Sequence, residues 1–385
     1  MTIKLLYNSM SMIPPISGIG RYTTILSNNI VKHSAIDTVK YFDYKNILDQ
    51  KPEFSSSSTK EKSIIGLVRK IANSSLIAPL ATSYLHYQLS KKLTSLDSFL
   101  YHETNYILMP FNGKTISSIH DLSYIHYRDL HPKQRVKYFD KEMPKTIERA
   151  DHFITDSQFI KNEIIEILGV ADKRVTVIPL GVTEQFKPRN RNKILPILDK
   201  YNLNEKNYIL LVGSIEPRKN IKHFLEAYTH LPESLKKHFK IIHIGPSGWL
   251  NTEIHKKIQQ LENKGQFKAL GYLPENELVA LYSGAYVFAF PSIYEGFGLP
   301  PLEAMASGVP VLASNISSIP EVVGDCGVLT DPFDIDKMSF DLERILTDNQ
   351  LRSLLIKTGL KQAKQFSWDN CVNKTVEVYK QVRAL

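Results

Sequence analysis

Short apolar runs, separated by polar stretches with helical periodicity, recur along almost the whole chain. In the first half Ile3–Tyr7, Thr115–Ile119, His152–Thr155 and Val175–Ile178 read as strands, and helical patterns follow several of them, notably from Tyr22 and from Ser157. Beyond residue 205 the alternation restarts cleanly. Tyr208–Val212, Lys240–Ile244, Phe267–Leu270, Val287–Phe290 and Val309–Ala313 are apolar runs, each followed by turn residues and then a helix. Such alternation predicts an α/β class with parallel, doubly wound sheets. No fixed-period repeat is superimposed on it.

A chain of 385 residues exceeds what one hydrophobic core usually serves, so two domains are expected. The polar, basic Lys187–Lys193 segment breaks the pattern, which predicts a first domain over 1–185 and a second over 186–369. Ligands of doubly wound sheets collect at strand carboxyl ends, which predicts two Rossmann-like domains facing each other across a cleft. The Ser-rich stretch 51–60 reads as a loop.

Composition narrows this further. Hydrophobic residues at 43% and charged residues at 23% fit a soluble globular protein. The start reads as a first strand rather than a signal peptide, and no apolar run approaches the ~20 residues that span a bilayer, so a cytoplasmic protein is expected. Cys326 and Cys371 supply neither a disulfide framework nor a metal-ligand spacing. The formal net charge is +9, and the 60–92 stretch concentrates Lys60, Lys62, Arg69, Lys70, Lys91 and Lys92 among apolar residues such as Ile64, Leu67 and Ile71. That stretch fits either peripheral contact with an anionic membrane surface or a surface helix with a solvated basic face. No recognition motif for nucleic acid accompanies the charge.

Several segments carry candidate chemistry. Glu295-Gly-Phe-Gly-Leu-Pro-Pro-Leu-Glu303 places two carboxylates around a glycine turn and a proline-marked helix start, with Glu303 expected in the first turn of a helix beginning at Leu302. Two acidic acceptors so placed suit a ligand with hydroxyls at two ends, such as a sugar nucleotide. Gly213-Ser-Ile-Glu-Pro-Arg-Lys-Asn220 follows a strand and precedes a helix. Arg218 and Lys219 are either solvated charges at a helix start or, because cations at a helix N-terminus are unfavourable unless an anion is present, a site for a diphosphate, the reading that is favoured. Gly18-Ile-Gly-Arg-Tyr22 is either a second anion cradle or simply a turn entering a helix. His120 and Asp121 leave a strand at its carboxyl edge; the imidazole either donates to a sugar hydroxyl or is a capped strand-end histidine. Gly245–Gly248 is a further turn at the same edge, and Trp249 and Trp368 read as packing residues.

Taken in order, Gly18–Tyr22, His120-Asp121, Gly213 with Arg218-Lys219, and Glu295-x7-Glu303 resemble the retaining family-4 glycosyltransferases of the two-domain GT-B fold. The resemblance covers nearly the whole chain and is strongest over 208–330, where Phe290–Pro310 is highly specific. It implies that Glu303 binds the ribose and that Glu295 with Gly296, Phe297, Gly298 and Leu299 holds the donor sugar. It further implies that Arg218 and Lys219 neutralise the diphosphate near Gly213, and that His120 lies against the sugar. Gly18 and Gly20 would approach the phosphates or acceptor, and Tyr272 and Leu273 the base. One departure is Ser17, where many relatives carry a glycine before Gly18.

Family-4 enzymes close with a segment like Phe366-Ser-Trp368, which implies a last helix, about 370–385, returning to the first domain. No metal and no cofactor are implied. Ile13-Pro-Pro followed by Gly18-Ile-Gly-Arg-Tyr22, together with Ile119-His-Asp-Leu-Ser, looks most like bacterial mannosyl- and rhamnosyltransferases of O-antigen or other surface-polysaccharide synthesis. GDP-mannose is the first expected donor, with dTDP-rhamnose or a UDP-sugar next, and a lipid-linked oligosaccharide at the cytoplasmic face of the inner membrane is the expected acceptor. Rival readings are a nucleotide-sugar epimerase, a phosphorylase, or a non-catalytic sugar-nucleotide-binding subunit.

Overall fold

The computed structural model describes residues 2–13, 18–43, 46–52, 91–246 and 252–385. The 51–60 loop beyond Pro52, all of the basic 60–92 stretch except Lys91 and Lys92, Ser17 and Trp249 lie outside the described residues. Contacts divide the chain into two units, Met1–Pro179 with Trp368–Leu385, and Leu180–Ser367. Among the described residues no helix is long and apolar enough to cross a membrane.

The first unit is built on a seven-stranded sheet of β1 (Ile3–Asn8), β2 (Ile36–Phe42), β3 (Ile47–Leu48), β4 (Leu100–Glu103), β5 (Thr115–Ser118), β6 (His152–Thr155) and β7 (Val175–Val177). Its order is β3-β2-β1-β4-β5-β6-β7, parallel except for the short β3 at the edge. Every residue of β4, β5 and β6 is buried, so both faces of the sheet are covered. The helix Gln158–Leu168 shows why its segment folds locally. Ser157 caps its start by accepting from the Ile160 N–H at 3.3 Å, and Gly169 ends it at φ 69°.

The last helix, Trp368–Arg383, buries Trp368, Cys371, Val372, Thr375, Val376, Tyr379 and Val382, one stripe at helical spacing, within this unit. Tyr379 is fully buried. Its hydroxyl lies 2.5 Å from the Tyr7 hydroxyl and 2.6 Å from His102 Nδ1, whose Nε2 lies 2.8 Å from Ser118 Oγ. Burial pushes His102 down to about 3, so the network is neutral.

The second unit holds β8 (Tyr208–Val212), β9 (Lys240–Ile244), β10 (Phe267–Ala269), β11 (Val287–Phe290), β12 (Val311–Ser314) and β13 (Val328–Thr330), all parallel, in the order β10-β9-β8-β11-β12-β13. Counted from its own first strand this is 3-2-1-4-5-6, the dinucleotide-fold order. The crossover reverses between β8 and β11, and a crevice therefore opens beyond their carboxyl ends. Ile209 and Leu211 pack on Ile221, Phe224, Leu225 and Tyr228 of the following helix, and with Phe239, Ile241 and Val287 they form the core that holds β8 in place.

Two expected boundaries move. The first helix already includes Gly18 and Gly20, well before Tyr22, so both glycines are helical rather than part of a preceding loop. The helix expected from Leu302 begins at Leu299, because Pro300 and Pro301 are tolerated in an opening turn whose N–H groups need no intrahelical acceptor. Glu303 accordingly sits in the second turn.

Candidate functional site

Two loops meet at the β8/β11 crossover of the second unit. The first leaves β8 through Gly213 and Ser214 and turns through the short 3₁₀ segment Pro217–Lys219; Asn220, at φ 55°, then admits the helix Ile221–His230. The second leaves β11 and runs through Tyr294 and Glu295 to Gly298, which at φ 129° starts the helix Leu299–Ala306. The Ile293 N–H donates to the Arg218 carbonyl at 2.9 Å and ties the loops together.

Across this junction lies an ion-pair cluster. The Lys219 Nζ–H donates to Glu295 Oε1 at 2.6 Å, and Arg218 Nη1 lies 3.1 Å from Glu295 Oε2. Arg218 is held on three sides, because Nη1 also donates to the Tyr294 carbonyl at 2.5 Å and Nη2 to Glu216 Oε1 at 2.9 Å. Glu216 in turn accepts from Ser214 Oγ at 3.0 Å. Lys219 Nζ also stands 5.2 Å above the Phe290 ring.

Burial alone would raise the Glu295 carboxyl. Arg218 and Lys219 outweigh it and bring Glu295 down to about 2, so this carboxylate is ionised at neutral pH. Two cations thus face two carboxylates, Glu295 and Glu216. The anions that balance these cations here come from the chain itself, and a phosphate would meet the cations together with Glu295.

The Glu295 backbone is fixed independently of its side chain. Its N–H donates to Ser317 Oγ at 3.1 Å, while Ser318 Oγ donates to the carbonyls of Glu295 at 2.8 Å and Phe297 at 2.9 Å. Glu303 is buried on the helix behind, at 5% exposure. Gly245 follows β9 and approaches so closely that a Cβ on it would lie 2.0 Å from the Gly213 carbonyl oxygen. The Gly245 N–H donates to Gly271 O at 2.9 Å, and His243 Nε2 lies 2.8 Å from Gly213 O. Through these bonds the loop carrying the exposed Tyr272 and the buried Leu273 is stitched to the same sheet edge.

In the first unit His120 follows β5, buried, with Nδ1 2.7 Å from Asp156 Oδ2 and Nε2 3.0 Å from the Thr104 carbonyl oxygen. A carbonyl only accepts, so Nε2 carries a proton, and Nδ1 shares one with Asp156. Burial would lower the histidine; the Asp156 carboxylate, with the Thr104 carbonyl and Asp121, reverses that and holds His120 above its usual value. Both ring nitrogens are therefore committed to protein acceptors, and a sugar hydroxyl would have to replace Thr104 as the acceptor from Nε2. Asp156→Asn keeps an acceptor for Nδ1 but removes the charge, and it is expected to lower the His120 pKa. Histidine NMR titration checks this; an unchanged midpoint would show that Asp156 does not govern the ring.

The structure thus gathers Arg218, Lys219 and Glu295 into direct contact, with Gly213 and the 296–299 turn beside them. It places His120, Gly18 and Gly20 in the other unit. Sequence reasoning missed Glu216, Ser318 and Asp156. Glu216 was legible, as a carboxylate two residues before the cations; Asp156 was not, because nothing local marks a partner 36 positions away.

Comparison with known proteins adds the following. Residues 196–362 match the family described as glycosyl transferases group 1, and residues 98–186 match glycosyltransferase family 4. The O-antigen chain mannosyltransferase B of Escherichia coli is 34% identical over 379 residues, covering 98% of this chain and all of that protein. The serotype-specific mannosyltransferase WbdA of E. coli is 30% identical over 94% of this chain, which spans about half (46%) of WbdA. Among solved structures, HepE of Anabaena in complex with UDP-glucose superposes with a TM-score of 0.72 at 16% identity, covering 98% of this chain and 100% of that one, a likeness of fold.

Proposed function

The chain belongs to the group 1, family-4 glycosyltransferases of the GT-B fold, and from that premise we propose that it transfers mannose from GDP-mannose to a lipid-linked oligosaccharide in O-antigen synthesis. The observation that carries transfer from a sugar nucleotide is the Arg218–Lys219–Glu295 cluster at the β8/β11 crossover. Mannose and O-antigen are supported by the end-to-end similarity to mannosyltransferase B.

The leaving diphosphate gains negative charge as the glycosidic bond breaks. Fixed cations stabilise that charge more in the transition state than in the ground state, which accelerates the chemical step. In this reading Arg218 and Lys219 supply the charge, so transfer is expected to proceed without a metal or cofactor. Glu303 accepts from the ribose hydroxyls, and Glu295 with the 296–299 backbone holds the sugar as a binding group rather than a nucleophile. Gly213 lets the phosphates approach, while Tyr272 and Leu273 lie by the base. His120 donates to the sugar, and Gly18 and Gly20 serve the phosphates or acceptor. The anomeric configuration is retained. A peripheral contact of the 60–92 stretch with anionic membrane rests on its charge pattern alone.

The test is a panel of GDP-mannose, dTDP-rhamnose and UDP-glucose, with and without a polyprenyl-linked glycan, assayed for nucleoside diphosphate release in EDTA. Acceptor-dependent release of GDP from GDP-mannose, at least about a hundredfold faster than from the other donors, is expected. Selective use of another donor would overturn the mannosyl assignment. Sugar-nucleotide isomers without acceptor would indicate an epimerase, and binding without turnover a non-catalytic subunit.

A further inference from the structure

Glu295 is paired with the two cations assigned above to the donor diphosphate. Its two oxygens lie 2.6 Å from Lys219 Nζ and 3.1 Å from Arg218 Nη1, and its side chain is only 13% exposed. A phosphate reaching the same cations has to displace this carboxylate or share the cations with it at close range, where like charges repel. We propose that Glu295 is the resident counter-ion of the cation pair, and that donor binding is an exchange: the diphosphate takes the cations, and the released carboxylate turns to accept from the sugar hydroxyls. This rests on the sugar-nucleotide reading of the site and adds a second role for the same residue.

The two carboxylates of the cluster differ in a way that assigns the exchange to Glu295. Glu216 belongs to the same short turn as Arg218 and is bonded to both Ser214 and Arg218, so it travels with its cation. Glu295 comes from a separate strand-end loop, and its backbone is clamped on both sides by Ser317 and Ser318. The exchange therefore calls for rotation of the Glu295 side chain while Ser317 and Ser318 keep its backbone in place.

An intact sugar nucleotide brings hydroxyls that receive the displaced carboxylate. A nucleoside diphosphate lacks the transferred sugar and its hydroxyls, and the carboxylate competes with it for Lys219 and Arg218. The spent nucleotide is then held more weakly than the donor, and Glu295 promotes product release.

The experiment is calorimetric titration of wild type and Glu295→Gln with inorganic pyrophosphate and with GDP, beside thermal melting of each protein alone. Removing the competing charge is expected to tighten both ligands at least tenfold, even as sugar transfer slows. A Glu295 that only binds sugar would leave both affinities unchanged, and a Glu295 that merely holds the cations in position would weaken them; either result overturns the exchange. Adding Lys219→Met should abolish the gain, and its persistence would also count against the exchange. If the Gln variant does not fold, the wild type still decides: GDP-mannose must bind more tightly than GDP, and the reverse order is incompatible with the proposal. Wild type that binds neither pyrophosphate, GDP nor GDP-mannose removes the sugar-nucleotide reading itself, and the exchange with it.

Discussion

Lys219→Met is expected to lower kcat by about 10²–10³-fold, the usual effect of removing one fixed donor from a developing anion, with a smaller change in the KM for the donor. Lys219 Nζ is bonded to Glu295 and rests above Phe290. Methionine keeps the aliphatic stem over the ring and removes only the ammonium. Glu295 retains Arg218 at 3.1 Å, so no buried carboxylate is stranded. Replacing Arg218 and Lys219 together by alanine is a poorer test, because Glu295 and Glu216 would both lose their cations. Breaking a buried pair in that way costs about 3–5 kcal/mol, and loss of activity would then be confounded with unfolding. Steady-state kinetics on Lys219→Met, with circular dichroism as the control, separate the two effects. A rate within a few-fold of wild type would contradict the diphosphate role.

Gly245→Ala should be among the most damaging single-methyl substitutions in the second unit. Gly245 sits at φ 144°, where side chains are rarely tolerated, and the new Cβ would lie 2.0 Å from the Gly213 carbonyl oxygen and 2.6 Å from its carbonyl carbon. Both obstacles are backbone, so no rotamer change relieves them. The chain must move Gly213 and with it the turn that carries Arg218 and Lys219. Strain of this kind together with the clash is expected to cost on the order of 3–5 kcal/mol, and to abolish nucleotide binding in any folded fraction. Gly265→Ala is the matched control: Gly265 also has positive φ, at 68°, but a Cβ there meets nothing within 4 Å. Its cost should be about 1 kcal/mol, the intrinsic penalty of the left-handed region. Equal midpoints for the two variants in urea unfolding would show that the close Gly213–Gly245 approach is not a constraint.

The second unit was legible where strands are mostly apolar. Tyr208–Val212, Lys240–Ile244 and Val287–Phe290 occur as read, since parallel strands covered on both faces are largely apolar, with Lys240 and His243 the exceptions here. Two runs that escaped notice carry polar residues within the strand. Leu100–Glu103 buries His102 against Tyr379, 277 positions away, and Glu103 against Asn8. Ile36–Phe42 is half-buried and includes Asp37, Thr38 and Lys40. At the site, the spacing of Gly213, Arg218 and Lys219 is local and was readable. Their pairing with Glu295, 76 positions on from Lys219, is a product of the crossover and was not. The two carboxylates first singled out for their glycine turn thus part company: Glu295 is locked into ion pairs, and Glu303 is buried on the helix behind it.

A crystal structure with GDP bound tests the donor clamp most directly. The expected result is a diphosphate oxygen within hydrogen-bonding distance of Lys219 Nζ, with the Arg218 guanidinium beside it and the ribose hydroxyls on the Glu303 carboxylate. A diphosphate lying away from residues 213–219, or a ribose without contact to Glu303, would contradict it.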